Sequence, residues 1–184
     1  MNLYRPAHQW QGNPADSGGT GWYDCGPHSY AMGIDALTHG TVVPTGRDIR
    51  ALTNEPAPQQ SDPGVNHAQI IAAGERFGAR FVTARRPWSE YLAKLRAHRW
   101  TCLSVWYADM GAFCLQKPNN AFGHDIGVMA IDTPGLKSLV YDPLGHAPRW
   151  IPLAVLKTAA EHWGSMNGLG GVDFIASIDP IPYE

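Results

Sequence analysis

The sequence has few of the features that mark disulfide-stabilised secreted scaffolds and zinc proteins. Its 184 residues contain only three cysteines, Cys25, Cys102 and Cys114. An odd number of cysteines cannot be fully paired within one chain, and their wide spacing lacks the CxxC pattern of a zinc ribbon. At least one thiol is therefore free, and the question becomes which cysteine is reactive.

Long apolar runs and an excess of positive charge are also missing. No stretch of about 18 apolar residues occurs, so the sequence predicts no membrane-spanning helix. Residues 1–6 do not resemble a signal peptide, which predicts synthesis in the cytoplasm and, for action outside the cell, release by another factor. Fourteen basic against 16 acidic residues give a net charge of −2, which argues against binding to nucleic acid or to an anionic membrane.

What is present is the composition of a folded globular protein. Hydrophobic residues make up 44% of the chain and charged residues 16%, and the length suffices to bury a core without disulfides or metals. No internal repeat or linker divides the sequence. We therefore predict a single domain over residues 1–184.

Helical periodicity dominates the first half of the chain, and strand-like segments dominate the second half. This order predicts an α+β fold in which N-terminal helices pack on an antiparallel sheet, the strands following one another as a meander. We predict helices at 28–37, 47–52, 66–77, 90–99 and 154–162, and strands at 79–83, 100–107, 125–132, 138–141, 149–152 and 172–178.

Cys25 lies where the first predicted helix begins. Pro27 suits the first turn of a helix, and Gly26 leaves the approach to the sulfur uncrowded. Unpaired backbone N–H groups at a helix N-terminus favour the thiolate, which is the nucleophilic form. The alternative is a small buried hydrophobic residue, as most free cysteines are, and position alone does not decide between the two.

A nucleophilic thiol also needs a base and a group that orients the base. His124 precedes the predicted strand 125–132, and Asp142 follows the predicted strand 138–141. If these strands form an antiparallel hairpin, the imidazole and the carboxylate lie side by side at one edge of the sheet. Each residue alone is as readily a strand cap or a turn residue. Together with Cys25 they predict a Cys-His-Asp triad, provided that the Cys25 helix packs against that edge.

Three segments of the sequence resemble the C39-like cysteine peptidases of the papain-like superfamily, and they occur in that family's order between residues 9 and 145. The resemblance implies a papain-like α+β fold that needs no cofactor, with Cys25 as nucleophile, His124 as base and Asp142 as the group that orients it. The segments are Asp24–Met32 (DCGPHSYAM), Gly123–Met129 (GHDIGVM) and Val140–Gly145 (VYDPLG).

The sequence departs from the family pattern upstream of the nucleophile. The family usually has a glutamine about six residues before the cysteine, where it donates to the oxyanion, and Gly19 stands there instead. Gln11 could reach the site if residues 13–21 bulge outward, and Gln9 is the other choice. If neither reaches, backbone N–H groups such as that of Cys25 must stabilise the oxyanion alone.

Five further residues near these motifs have open roles. Asp125, where the family more often has an apolar residue, could compete with Asp142 for the imidazole or point to solvent. His28 is expected on the surface of the first helix, although it could touch the site. Trp22 is our candidate for a wall of the substrate cleft. Cys102 is expected to be buried and inert, and Cys114 lies in a segment without a clear pattern.

The resemblance implies a hydrolase that cleaves peptide bonds through a thioester. Some relatives are fused to exporters and trim leader peptides, whereas stand-alone domains act on peptidoglycan or belong to phage particles. Without a membrane segment or a signal peptide, we expect a peptide or a peptidoglycan stem peptide as the substrate, with release by a holin or carriage in a phage particle. Two alternatives stay open: a transglutaminase-like or deamidating enzyme, and a catalytically silent virion or partner-binding domain.

Overall fold

A computed structural model describes residues 4–12, 24–53, 65–115, 121–132 and 134–179. The helices are α1 (Cys25–Thr38), α2 (Gly46–Leu52), α3 (His67–Glu75), α4 (Trp88–His98) and α5 (Leu153–Met166), and a 3-10 helix covers Tyr107–Phe113. The strands are β1 (Phe81–Arg86), β2 (Trp100–Trp106), β3 (Gly123–Asp132), β4 (Lys137–Tyr141), β5 (Arg149–Pro152) and β6 (Val172–Ser177).

The strands of the described residues form one six-stranded antiparallel sheet with the order β1-β6-β2-β3-β4-β5. Strands β2 to β5 follow one another as the predicted meander, whereas the last strand, β6, lies between β1 and β2. The predicted α+β class is therefore confirmed, and the meander is correct for four of the six strands. Strand β2 is central and buried on both faces, which explains its continuous run of β-forming residues.

The three N-terminal helices cover one face of the sheet, as the sequence predicts. Tyr30 and Ile34 of α1 are fully buried, and they share a core with Trp100 of β2 and Ile70 of α3. A Cβ atom at Gly33 would lie 2.5 Å from the Trp100 indole nitrogen, so the glycine lets α1 approach the sheet closely. Each fully buried side chain of this size contributes roughly 1.5–3 kcal/mol, so apolar burial holds α1 in place.

The opposite face of the sheet is covered by α4, α5 and the 3-10 helix. Tyr91 and Leu95 of α4 pack there with Leu156 of α5 and Met110 of the 3-10 helix. The core of this second face also includes Tyr107, which is fully buried. The sheet therefore lies between two helical layers, which cover its central strands β2 and β3 on both faces.

The predicted boundaries differ from the observed ones where local pattern is weak. Helix α1 begins at Cys25 rather than at residue 28, because Gly26 and Pro27 can occupy a first helical turn despite breaking the periodicity. Strand β1 covers Phe81–Arg86 rather than 79–83. As an edge strand it exposes most of its side chains, including Arg85 and Arg86, so its second half lacks the apolar residues that indicate a strand. The 3-10 helix Tyr107–Phe113 was not predicted.

Candidate active site

The sulfur of Cys25 lies at the start of α1, and buried contacts hold that helix end in place. The carbonyl oxygen of Asp24 accepts hydrogen bonds from the backbone N–H of His28 at 3.0 Å and from its ring Nδ1 at 2.8 Å. The Asp24 carboxylate pairs with Arg50 of α2 at 3.3 Å, and both side chains are buried. Cys25 itself is partly exposed. The thiol is therefore accessible at a fixed helix N-terminus.

His28 is not a surface residue, which corrects the sequence-based prediction. Its side chain is fully buried under α2. A Cβ atom at Gly46 would clash with the His28 ring, so the absence of a side chain at that position makes room for the imidazole. The prediction was wrong because α2 packs over this face of α1, and local sequence pattern does not reveal a contact between two separate helices.

The β3–β4 hairpin brings His124 and Asp142 together at one end of the sheet. Gly127 of β3 pairs with Tyr141 of β4, so Asp142 leaves its strand close to the start of β3. The His124 Nε2 atom lies 2.8 Å from the Asp142 Oδ1 atom, and both side chains are buried. This bond uses Nε2, which leaves the Nδ1 atom of the ring for a second partner.

The Cys25 thiol is close enough to the imidazole to help raise the pKa of His124. Burial alone would lower the pKa of His124, but the charge of Asp142, the hydrogen bond to Asp142 and the contribution of Cys25 outweigh it and raise the pKa to about 10. Burial would likewise raise the pKa of Asp142, but the imidazolium of His124 and the hydrogen bonds to the carboxylate lower it. The pair therefore favours a protonated imidazole beside an ionised carboxylate.

Tyr107 supports this pair and has no counterpart in the sequence-based prediction. Its hydroxyl donates to the Asp142 Oδ2 atom at 2.8 Å and accepts from the backbone N–H of Leu115 at 2.9 Å. The backbone N–H of Leu144 donates to Oδ1 at 2.9 Å, so both carboxylate oxygens are held. The Tyr107 ring also packs edge-on against the His124 ring, with centroids 4.7 Å apart. No local motif signals this role, because the two partners lie 35 residues apart.

The structure distinguishes the two glutamines upstream of Cys25. The Gln9 amide is fully engaged: its Nε2 atom donates to the Pro44 carbonyl at 2.7 Å, and its Oε1 atom accepts from the Gly46 N–H at 2.9 Å. Gln11 instead lies beside the turn that follows Asp142, where its backbone N–H donates to the Pro143 carbonyl at 2.9 Å. Its side chain is buried, and nothing among the described residues hydrogen-bonds its Oε1 atom. The backbone of Gln11 therefore lies beside the candidate site, whereas the side chain of Gln9 stabilises the chain around the start of α2.

Asp125 neither competes for the His124 Nε2 atom nor points to solvent, which corrects both sequence-based readings. Its Oδ1 atom accepts a hydrogen bond from Ser104 of β2 at 2.6 Å and lies 3.6 Å from His67 of α3. The side chain is only 15% exposed. The carboxylate therefore belongs to a polar network between the sheet and α3.

The other two cysteines are buried, whereas Cys25 is partly exposed. Burial raises the pKa of the Cys102 thiol well above its usual range, as expected for an unreactive core residue. The Cys114 thiol donates to the backbone carbonyl oxygen of Tyr107, the residue that holds Asp142, at 2.7 Å. Trp22, the predicted cleft wall, lies outside the described residues.

Within the described ranges no cluster of three or more His, Cys, Asp and Glu side chains is arranged to hold a metal ion. Nor is any helix in that part of the chain both long and apolar enough to cross a membrane.

Comparison with known proteins identifies the fold. A crystal structure described as a C39-like peptidase from Bacillus anthracis matches 88% of this chain and 91% of its own, with a TM-score of 0.60 and 13% identity. The peptidase domain of Streptococcus ComA, a bi-functional ABC transporter of a quorum-sensing pathway, matches 94% and 98% of the two chains, with a TM-score of 0.55 and 13% identity.

A third structure, the double-glycine-motif protease of an AMS/PCAT transporter in complex with its leader peptide, matches 96% of this chain and 94% of its own, also with a TM-score of 0.55 and 13% identity. No family model matches the sequence, and no curated protein does. The chain thus has the fold of C39-like, papain-like peptidase domains, and the fold implied by the three sequence motifs is confirmed.

Proposed function

We propose that this protein is a cysteine peptidase in which Cys25, His124 and Asp142 form the catalytic triad. The observation that carries the proposal is the bond between the His124 Nε2 and Asp142 Oδ1 atoms at 2.8 Å. The Cys25 thiol also contributes to the raised pKa of the same imidazole. The peptidase fold and the partly exposed thiol at the helix N-terminus support the same reaction.

In the proposed mechanism the Cys25 thiolate attacks the carbonyl carbon of a peptide bond. The positive end of α1 and the protonated imidazole both stabilise negative charge on the sulfur. As the tetrahedral intermediate collapses, His124 gives its Nδ1 proton to the leaving amine, and the C–N bond breaks to leave a thioester. His124 then accepts a proton from water, which attacks the thioester and releases the acid. Asp142 keeps the imidazole in the required tautomer throughout.

Gln11 is the proposed side-chain donor to the oxyanion, together with the backbone N–H of Cys25. Two facts support it: the Gln11 backbone is tied to the turn after Asp142, and the Gln9 amide is already engaged with the backbone around α2. Because one oxyanion donor is typically worth about 10²–10³ in rate, this residue decides whether the site is fully active.

The substrate class is a peptide, and we propose the stem peptide of peptidoglycan ahead of other peptides. We also keep the phage setting as a proposal, with release by a holin or carriage in the particle. A leader peptide with a double-glycine motif is the substrate that the third structural relative suggests. The choice among these rests on experiment.

The test incubates the protein with purified peptidoglycan, with casein and with a double-glycine leader peptide, and identifies new termini by mass spectrometry. We expect new amino and carboxyl termini in one of these substrates and none with Cys25→Ala or His124→Ala. The control His98→Ala removes an imidazole on α4 and is expected to retain activity. Turnover by the Cys25→Ala variant would contradict the proposed nucleophile.

The same assay separates the two alternative functions. Release of ammonia or incorporation of an added amine, without new termini, would indicate a deamidating or transglutaminase-like enzyme that uses the same thioester. A silent domain would give neither product with any substrate.

A further inference from the structure

The carboxylate of Asp125 lies directly against the start of the nucleophile helix. A Cβ atom at Gly26, the residue after Cys25, would lie 2.9 Å from the Asp125 Oδ2 atom. The Ser29 hydroxyl, one helical turn further on, donates to the Asp125 carbonyl oxygen at 2.9 Å. Asp125 of β3 is therefore fixed to the first turn of α1, and its carboxylate lies beside Gly26, the residue next to Cys25.

A bare carboxylate in this position would oppose the thiolate, because like charges at short range disfavour each other most strongly where water is scarce. Asp24, which precedes Cys25, also carries a carboxylate, and the buried side chain of Arg50 balances its negative charge at 3.3 Å. A comparable partner is needed for Asp125.

His67, the first residue of α3, provides that partner through Ser104. The His67 Nε2 atom lies 3.2 Å from the Ser104 hydroxyl oxygen, and that hydroxyl donates to the Asp125 Oδ1 atom at 2.6 Å. The direct distance between His67 Nε2 and Asp125 Oδ1 is 3.6 Å, and the His67 side chain is 13% exposed. The three residues come from α3, β2 and β3, so the network joins the helix to the sheet beside the thiol.

The protonation states expected for these groups agree with an ion pair. Burial would lower the pKa of His67, but the hydrogen bond and the charge of Asp125 outweigh it, and the pKa is raised. Burial would raise the pKa of Asp125, but the hydrogen bond and the charge of His67 lower it, with help from Ser104. The carboxylate is thus ionised and faces a cation.

We propose that His67 is a positioning residue that, through Ser104, holds and neutralises the Asp125 carboxylate so that no uncompensated negative charge opposes the Cys25 thiolate. The proposal rests on the proposed function, because it concerns the reactivity of the same thiol.

The other charges around the network do not replace His67. Asp173 of β6 lies 3.7 Å from the His67 Nδ1 atom, and Arg85 of β1 lies 3.7 Å from the same Asp173 oxygen. Thr83 of β1 lies 3.3 Å from Nδ1. The Arg85 side chain is 61% exposed, so solvent screens much of its charge. On the opposite side of Asp125 lies His124, whose charge also lowers the pKa of Asp125.

The test is the rate at which iodoacetamide labels Cys25 as a function of pH, in the full chain, with His67→Gln. The variant removes the charge of His67, so more of the negative charge of Asp125 acts on the thiol, and the rise in labelling rate should move upward by about one pH unit. Below that rise the rate at a fixed pH should be about tenfold lower than in the unmodified protein. Replacing Asp125 as well, in His67→Gln/Asp125→Asn, should restore the original profile, because no carboxylate is then left to neutralise.

Two control variants test whether a change in the labelling rate comes from the lost charge or from a change in the fold. Arg85→Gln removes one exposed positive charge from the far side of the same network and should leave the profile unchanged. His67→Lys keeps a positive charge and should stay within about half a pH unit of the unmodified protein. A thermal unfolding curve for each variant reports on structure independently of the thiol.

The outcomes are distinct. If the labelling rate of Cys25 depends on pH in the same way in His67→Gln and in the unmodified protein, the inference is overturned. Slower labelling in His67→Gln that the added Asp125→Asn change does not reverse also overturns it, because that result indicates a purely structural role for His67. If His67→Gln does not fold, the single variant Asp125→Asn decides. A labelling rate that rises at a higher pH than in the unmodified protein overturns the inference, whereas a rise at the same or a lower pH supports it. Slow, pH-insensitive labelling of Cys25 in the unmodified protein contradicts the proposed function itself.

Discussion

Replacing Tyr107 by phenylalanine removes one hydroxyl from the support of Asp142 and leaves the ring that packs on His124. The hydroxyl donates to the Asp142 Oδ2 atom at 2.8 Å and accepts from the Leu115 N–H at 2.9 Å. After the change the carboxylate keeps its two bonds at Oδ1, from His124 and from Leu144. The imidazole therefore keeps its partner, but the Oδ2 atom loses its hydrogen bond and keeps only the ion pair with Arg149 at 3.9 Å, so the carboxylate is held less firmly.

The size of the effect follows from the kind of bond that is lost. A hydrogen bond to a buried charged group contributes roughly 1.5–3 kcal/mol, and the Leu115 N–H also loses its acceptor. For a chain of this length, 1 kcal/mol corresponds to about 2–4 °C, so we expect the melting temperature to fall by roughly 3–12 °C. A loosely held Asp142 orients the imidazole less well, so kcat should fall about 10- to 100-fold, with a smaller change in KM.

Tyr91→Phe is the matched control. Tyr91 of α4 is another fully buried tyrosine, and its hydroxyl bonds to Thr101 of β2 at 3.1 Å, away from the imidazole. It should lose about 1 kcal/mol of stability and keep its kcat. The assay is the rate of peptide cleavage together with thermal unfolding of both variants. Equal kcat values for Tyr107→Phe and the unmodified protein would refute the idea that Tyr107 positions Asp142.

Gln11→Ala should lower kcat/KM by about 10²–10³ with little loss of stability, whereas Gln9→Ala should destabilise the fold and leave the rate per folded molecule unchanged; urea unfolding and cleavage rates of both variants check this. If the two variants lose activity equally, Gln11 is not the donor. The ion pair of His124 and Asp142 also predicts a dependence of stability on pH. Since the pKa of His124 is raised to about 10, its contribution to stability is fully present below about pH 6.5 and is lost as the pH rises through 10. The pKa of Asp142 is lowered, so its contribution is present above about pH 4 and is lost in acid. The stability difference between the unmodified protein and Asp142→Asn should therefore be largest near neutrality, and a difference independent of pH would contradict the pairing.

The sequence predicts those parts of the site that depend on local pattern. The turn between 132 and 138 and the flanking apolar runs are enough to predict a hairpin, and the hairpin brings His124 near Asp142. Likewise, the change of pattern after Cys25 predicts a helix whose N-terminus carries the thiol.

Other parts of the site depend on contacts between distant segments and are invisible to local pattern. Which glutamine returns to the site depends on where residues 4–12 run, and that path is held by long-range bonds such as Ala7 to Asp35 at 2.8 Å. The bond from Tyr107 to Asp142 and the network of His67 and Asp125 cross 35 and 58 residues of sequence. His28 is buried only because α2 packs over it.

The most direct test of the central claim compares the rate at which iodoacetamide labels Cys25 at pH 6 in the unmodified protein and in His124→Ala. Cys102 and Cys114 are buried, so faster labelling of Cys25 alone could reflect exposure, whereas the variant changes the base and not the position of the thiol. A thiolate held by the imidazolium predicts rapid labelling that falls at least about tenfold in His124→Ala. Equal rates in the two proteins would contradict a Cys25–His124 pair and with it the proposed peptidase.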